Sequence, residues 1–126
     1  MKVVVQRVKE SSVTIDGKVY GSIPTGFMVL VGFCASDTQE IVEKMVDKMI
    51  GLRVFEDDNG KMNLSLQDVN GSILSISQFT LYADCKKGRR PSFIHAAKPD
   101  VAIPLYDYFN ETIQAQGIHL EMGVFG

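Results

Sequence analysis

The 126-residue chain has the length of one domain, and 45% hydrophobic with 22% charged residues is typical of a folded protein, not a disordered one. The net charge of −2 excludes attraction of nucleic acid by the field of the whole molecule, so such binding would need a local basic patch.

The two cysteines, Cys34 and Cys85, lie outside any C-x-x-C pair and favour two reduced thiols over a disulfide framework. The first residues become charged too early for a signal peptide, and no apolar run reaches the ~20 residues of a membrane span. We therefore expect a cytoplasmic protein that has no membrane partner.

Asx-Gly pairs mark the turns between the predicted strands. Both residues of such a pair tolerate positive φ, as a tight hairpin turn requires. The nearly continuous apolar run over residues 26–34 predicts a strand that is buried on both faces. The turns at Asp16-Gly17, Asn59-Gly60 and Asn70-Gly71 separate runs predicted as strands: Ser12–Ile15 and Lys18–Tyr20, Leu52–Phe55 and Met62–Leu66, and Ser72–Tyr82.

Two segments have helical periodicity. In Thr38–Gly51 the apolar residues form one stripe, and Asp37 with Glu40 resembles a capping box. The second helix is predicted from about Pro99 to Gln116; Pro104 leaves open whether it begins there or has a kinked first turn. The pattern predicts a single α+β domain over residues 1–126, with a mostly antiparallel, barrel-like sheet and two main helices.

The histidines, His95 and His119, have no Cys, His or carboxylate at the spacing of metal ligands, so structural or surface roles are favoured. The glycines form neither a dinucleotide-binding motif nor a P-loop. We expect neither a metal nor a cofactor.

The polar end of the third predicted strand is the chemically informative region. Strict alternation would place Ser77, Phe79 and Leu81 on one face of this strand, with Gln78, Thr80 and Tyr82 on the other. A half-exposed strand end is the simpler explanation. A basic cluster that could bind phosphate groups follows at once and contains Lys86, Lys87, Arg89 and Arg90.

Four blocks of this sequence, in order, resemble the D-aminoacyl-tRNA deacylases. Ser77-Gln78-Phe79-Thr80-Leu81 matches the S-Q-x-x-L signature of that family. The other three are residues 1–8, residues 87–93 and the terminal Gly123-Val124-Phe125-Gly126. The resemblance implies a homodimeric hydrolase that proofreads translation: it hydrolyses the ester between a D-amino acid, or glycine mischarged on tRNA-Ala, and the 3′-terminal adenosine of tRNA.

The resemblance also implies roles for individual residues. Thr80 is the obvious nucleophile, but a hydroxyl needs a base. The neighbouring sequence contains no base, and alternation places Ser77 on the opposite face, so only a partner brought close by folding stays open. The 2′-hydroxyl of the tRNA would instead help to activate water, while Gln78 and Thr80 orient the substrate and the Phe79 N–H stabilises the oxyanion. Arg7 corresponds to an arginine that supports the loop that checks chirality. Substrate contacts are expected from Arg7, Leu81, Lys86, Lys87, Arg90 and Phe125, beside the catalytic group Ser77, Gln78, Phe79 and Thr80.

The chain departs from the family at its C-terminus. Members carry a Gly-cis-Pro bond that enters the pocket of the neighbouring subunit, but no Gly-Pro occurs here. We expect an incomplete last strand, lost chiral selectivity and a weaker dimer. Two alternatives stay open, a non-catalytic nucleic-acid-binding protein on the same fold and a generic esterase with Thr80 as nucleophile. An intact Ser77–Leu81 signature disfavours the first, and the lack of a local base disfavours the second.

Overall fold

The computed structural model describes residues 1–82 and 92–123. These residues form eight strands, two α-helices and one 3₁₀ helix, at Phe79–Tyr82. The strands are β1 Lys2–Val8, β2 Ser11–Ile15, β3 Lys18–Ile23, β4 Gly26–Gly32, β5 Phe55–Glu56, β6 Met62–Leu64, β7 Ser72–Ser77 and β8 Leu120–Met122, and the helices are α1 Gln39–Ile50 and α2 Pro99–Ala115.

A four-stranded sheet with the order β1-β4-β7-β8 organises the fold. Strand β1 pairs antiparallel with β4, whereas β4 with β7 and β7 with β8 pair in parallel. Strand β4 is an inner strand, with hydrogen bonds along both of its edges. Its burial is complete on one face, whereas Met28 and Leu30 on the other face are half-buried, so the predicted burial on both faces is confirmed fully for one face only. Two small antiparallel sheets, β2-β3 and β5-β6, complete the described strands.

The helices pack together on one face of this sheet and enclose the core. Alternate β4 residues, among them Phe27, Val29 and Val31, are fully buried there. On the other face, β3 packs against β7 and β8, and Leu74 is fully buried. The predicted α+β fold with two helices is confirmed. Antiparallel pairing holds for β1 with β4 and for the two small sheets, but the four-stranded sheet is mixed, because its other two pairings are parallel.

Helix α1 begins as its apolar stripe predicts, but its cap is different. The side chain of Thr38, not Asp37, accepts the hydrogen bond from the Ile41 N–H at 3.3 Å, so the predicted capping box is wrong. The Asp37 carboxylate is used elsewhere, since it accepts from the Cys34 N–H and from the α-ammonium group of Met1, each at 2.8 Å.

Helix α2 continues through Pro104 from its first residue, Pro99. Pro99 is tolerated at the first position, where its missing N–H has no acceptor within the helix. Pro104 lies beyond the first turn, so it removes the hydrogen bond that the Asp100 carbonyl would otherwise accept, and the helix continues without that bond. The prediction that the helix begins near Pro99 is therefore confirmed.

The hairpin at Asp16-Gly17 is confirmed, since φ is 51° at Asp16 and 78° at Gly17 and the turn joins β2 to β3. Asn70 also has positive φ, 54°, two residues before β7 begins. The strand predicted over Ser72–Tyr82 is too long, however. Strand β7 ends at Ser77, and the chain turns into the 3₁₀ helix.

Candidate active site

The segment Ser77–Tyr82, called the site turn below, begins where β7 leaves the sheet. Its first backbone contact is the hydrogen bond from the Gln78 N–H to the Val31 carbonyl, at 2.8 Å, and Leu81 N–H then donates to the Gln78 carbonyl at 3.3 Å. The turn folds directly over Gly32, where a Cβ atom would stand only 2.9 Å from the Gln78 carbonyl oxygen. The absence of a side chain at Gly32 therefore allows the site turn to lie against β4.

Gln78 and Thr80 are joined within the turn. The Gln78 side-chain amide donates to the Thr80 hydroxyl at 2.5 Å. The alternation argument that placed Ser77 opposite to Thr80 is wrong in its premise, because the strand does not continue beyond Ser77. Among the described residues, Gln78 is the hydrogen-bond partner of Thr80, and an amide is not a base that could remove its proton.

An apolar cavity of about 430 Å³ opens beside the site turn. Phe79 and Phe93 stand at it with an edge-to-face contact, their ring centroids 5.0 Å apart. Helix α2 contributes its first turn to the wall, and Lys98 is the charged residue among those that line the cavity. The lining residues are Gly32, Phe33, Ser77, Phe79, Phe93, Ala96, Ala97, Lys98, Pro99 and Ala102.

Ser77 and Phe79 of the predicted site therefore share one cavity, and Gln78, Thr80 and Leu81 belong to the same turn. Ser77 is buried, whereas Phe79 is 47% exposed. Arg7 is not at this cavity. Its guanidinium donates to the Val54 carbonyl at 2.7 Å, and it lines a separate cavity of about 570 Å³ with Val8, Lys9, Thr25, Phe55 and Glu56.

The remaining predicted contacts, Lys86, Lys87, Arg90 and Phe125, lie outside the described residues, as does Cys85. Both histidines are exposed, and His119 lies 3.5 Å from the Glu121 carboxylate. Residues 1–82 and 92–123 contain no group of three or more side chains that could hold a metal ion. In the same ranges no helix is both long enough and apolar enough to cross a membrane.

Sequence analysis missed Lys2, which holds the end of the site turn. Its ammonium group donates to the Leu81 carbonyl at 3.1 Å and lies 4.7 Å from the centre of the Tyr82 ring. No local signal could have found this contact, because it joins the first strand to residues about 80 positions away in the chain. Lys98 was missed as well, since a single lysine before a helix carries no motif.

The far end of the turn packs against Cys34, a free thiol as predicted. Burial raises the pKa of Tyr82, and its hydrogen bond to Cys34 raises it further, so the phenol stays protonated. At Cys34 itself, burial acts to raise the pKa, but hydrogen bonds from Ser36 and the positive charge of the N-terminus outweigh it, and the pKa is lowered.

Comparison with known proteins identifies the family. The family model of the D-Tyr-tRNA(Tyr) deacylases matches residues 4–126. The chain belongs to this family. A D-aminoacyl-tRNA deacylase of Bacillus cytotoxicus is 58% identical over the whole chain, and one of Bacillus thuringiensis is 56% identical; the chain covers 86% of each. The predicted family and the predicted class, a hydrolase of the aminoacyl-tRNA ester, are confirmed.

Solved structures share the fold of this deacylase. A c-Myc DNA unwinding element binding protein is 40% identical with a TM-score of 0.92, over 100% of this chain and 86% of that one. A probable eukaryotic D-amino acid tRNA deacylase is 21% identical with a TM-score of 0.82, over 98% of this chain and 88% of that one, and it supports the fold alone.

Proposed function

We propose that this deacylase releases D-amino acids from tRNA at the cavity beside the site turn, where the 3′-terminal adenosine binds. The observation that carries the proposal is the position of Ser77 and Phe79, from the same turn as Gln78 and Thr80, at an aromatic-walled apolar cavity of about 430 Å³. That volume lies in the usual range of small-ligand sites, ~300–1,000 Å³. The ester of the bound nucleotide then lies against the turn.

The aromatic side chains suit a nucleobase. Bases stack on aromatic rings, with ~1–3 kcal/mol per base, and both Phe79 and Phe93 offer ring surface at the cavity. The half-exposed Phe79 ring lies in the same turn as Gln78 and Thr80, so a base held there brings its ribose close to these polar groups. Ser77 adds a hydroxyl to the cavity wall.

The turn provides polarity without a strong base. Phe79 is the first residue of the 3₁₀ helix, a position at which a backbone N–H has no acceptor within the helix and can donate to an oxyanion. Gln78 and Thr80, already hydrogen-bonded to each other, orient the ester. A water molecule, assisted by the 2′-hydroxyl of the tRNA, attacks the carbonyl carbon. The bond to the ribose oxygen breaks, that oxygen takes up a proton, and free D-amino acid and tRNA leave.

Residues away from the cavity bind the rest of the tRNA, and two copies of the chain form the active enzyme. Lys86, Lys87 and Arg90 contact tRNA phosphates, and Phe125 and Leu81 contact the aminoacyl end. Arg7 supports the segment at Val54 through its hydrogen bond. Glycine mischarged on tRNA-Ala is a second substrate, the enzyme is a cytoplasmic homodimer, and no metal or cofactor takes part.

Deacylation of D-tyrosyl-tRNA and L-tyrosyl-tRNA by the purified chain tests the proposal. Hydrolysis of the D-ester without an acylated Thr80 intermediate in rapidly quenched samples is expected. Trapping that intermediate would overturn the non-covalent mechanism. Binding of tRNA without hydrolysis would favour the alternative, a nucleic-acid-binding protein on the same fold.

A further inference from the structure

Lys98 is distinguished by its place at the cavity of the proposed active site. It lines the cavity together with Ser77 and Phe79, and it is the charged side chain among residues that are otherwise apolar or small. Its side chain is exposed, and among the described residues its ammonium group has neither an ion pair nor a hydrogen bond. The structure therefore offers no internal partner for this charge in the ranges it describes.

Lysine is also a poor choice for the backbone position that Lys98 occupies. It is the N-cap of α2, has extended φ and ψ of −71° and 160°, and makes no side-chain capping hydrogen bond. Serine, threonine, aspartate or asparagine is preferred at an N-cap, and a cation near a helix N-terminus is disfavoured by the helix dipole. A residue that weakens its own helix and has no partner nearby points to a role outside the stability of the fold.

The chemistry of the proposed substrate supplies that role. An apolar cavity can take a nucleobase and a ribose, but a phosphate group must stay in water or contact a cation. The terminal adenosine of tRNA is attached to the rest of the chain through a phosphate on its 5′ oxygen. We infer that Lys98 binds this phosphate at the mouth of the cavity. The assignment rests on the proposed function. It makes Lys98 the residue that selects a nucleotide over a nucleoside.

Two esters, one with this phosphate and one without it, test the inference. D-Tyrosyl-tRNA carries the phosphate, whereas adenosine esterified with D-tyrosine lacks it. In the Lys98→Ser variant, kcat/KM for the tRNA ester should fall about two- to fivefold at low ionic strength, the range of an exposed charge pair. The salt dependence of the same constant should lose about 0.7 from its logarithmic slope, as for one single-strand phosphate contact. The adenosine ester should be hydrolysed at an unchanged rate.

The same variant should be more stable than the wild type. A serine hydroxyl at the N-cap can accept a hydrogen bond from the first turn of α2, and Tm should rise by about 2–6 °C. A substitution that stabilises the fold and yet weakens the use of one substrate is not explained by a structural role of the lysine. Lys61→Ser, which removes an exposed lysine near the β5-β6 turn, is the matched control and should change neither ester.

Binding measurements separate this inference from the proposed function. Calorimetry gives the Kd of adenosine 5′-monophosphate and of adenosine. The wild type should bind the monophosphate about two- to fivefold more tightly, the range of an exposed charge pair. In Lys98→Ser the two Kd values should be equal. Equal loss for both esters in Lys98→Ser, or a phosphate preference that survives the substitution, would overturn the role of Lys98. If the wild type hydrolyses neither ester, the proposed function fails, while the two binding measurements still decide the role of Lys98.

Discussion

Placing a methyl group at Gly32 should reduce catalysis more than it disturbs the fold. The added Cβ would stand 2.9 Å from the Gln78 carbonyl oxygen and 3.2 Å from the Leu81 Cβ, both parts of the site turn. Ordinary contact begins at 3.4 Å, so the turn must move by at least 3.4 − 2.9 = 0.5 Å. The backbone oxygen cannot swing away as the end of a flexible side chain could, and the shift must pass to Phe79 and Thr80.

The size of the effect follows from this displacement. A misplacement of ~1 Å at a catalytic group can cost ~10²-fold in rate, so half of that distance predicts a fall in kcat of about tenfold. Overpacking of a tight site costs about 1–3 kcal/mol in the free energy of unfolding, which lowers Tm but leaves most of a small domain folded at 25 °C. Catalysis is therefore the more sensitive readout of Gly32→Ala.

Steady-state deacylation of D-tyrosyl-tRNA at saturating ester, at a temperature well below the Tm of the variant, measures kcat of the folded enzyme. Gly51→Ala is the matched control: its Cβ would lie 3.3 Å from the Asp47 carbonyl, its φ of −80° suits alanine, and it is at the C-cap of α1. The control should stay within about twofold of the wild type, as expected for a surface change. A Gly32→Ala enzyme with unchanged kcat would refute the idea that the position of the site turn sets the rate.

Three further predictions concern single side chains. Thr80→Val should lower kcat by no more than about 10²-fold, whereas loss of a nucleophile costs ~10⁶-fold, so a fall beyond ~10⁴-fold would restore a covalent role. Tyr106→Phe removes the buried hydrogen bond to the Ser75 carbonyl at 2.8 Å and should lower the free energy of unfolding in denaturant by about 0.5–1.5 kcal/mol. Tyr108→Phe is the control: its exposed hydroxyl bonds to Glu43, so its loss should lower that free energy less. A larger loss for Tyr108→Phe than for Tyr106→Phe would contradict this reasoning. Hydrogen bonds from the backbone N–H and the hydroxyl of Ser65 lower the pKa of Asp68 below its usual 3.8. The ionised carboxylate of Asp68 therefore stabilises the folded state above pH 3.8, and this stabilisation is lost as the pH falls through the lowered pKa. The difference in Tm between the wild type and Asp68→Asn should accordingly become smaller in acid.

The sequence predicted those parts of the fold that depend on local pattern. The apolar stripe of α1, the apolar run of β4 and the turn at Asp16-Gly17 each contain their own signal within a few residues. At Asp37 the local signal was present but was overridden. The carboxylate that resembled a cap is bound by the Met1 ammonium and the Cys34 N–H, and Thr38 caps the helix.

The end of β7 could not be predicted for a related reason. Residues 78–82 alternate as a strand would and include three aromatic or β-branched residues, so propensity alone continues the strand. What ends it is tertiary: the Val31 carbonyl accepts from Gln78, and Gly32 leaves room for the turn. The cavity likewise depends on Phe93 and the start of α2, which only the folded chain brings beside Ser77.

The contacts of the site turn also predict how its variants should rank. Gln78 and Thr80 bond to each other, Val31 and Lys2 hold the turn at its two ends, and these described contacts give the Thr80 hydroxyl no basic partner. A site of this kind accelerates hydrolysis by fixing the position of donors in advance. The fall of about tenfold for Gly32→Ala and the fall of no more than about 10²-fold for Thr80→Val should then differ by no more than about tenfold. If Thr80→Val is the more damaging of the two by over ~10³-fold, the hydroxyl takes part in the chemistry, and a base outside the described residues must activate it.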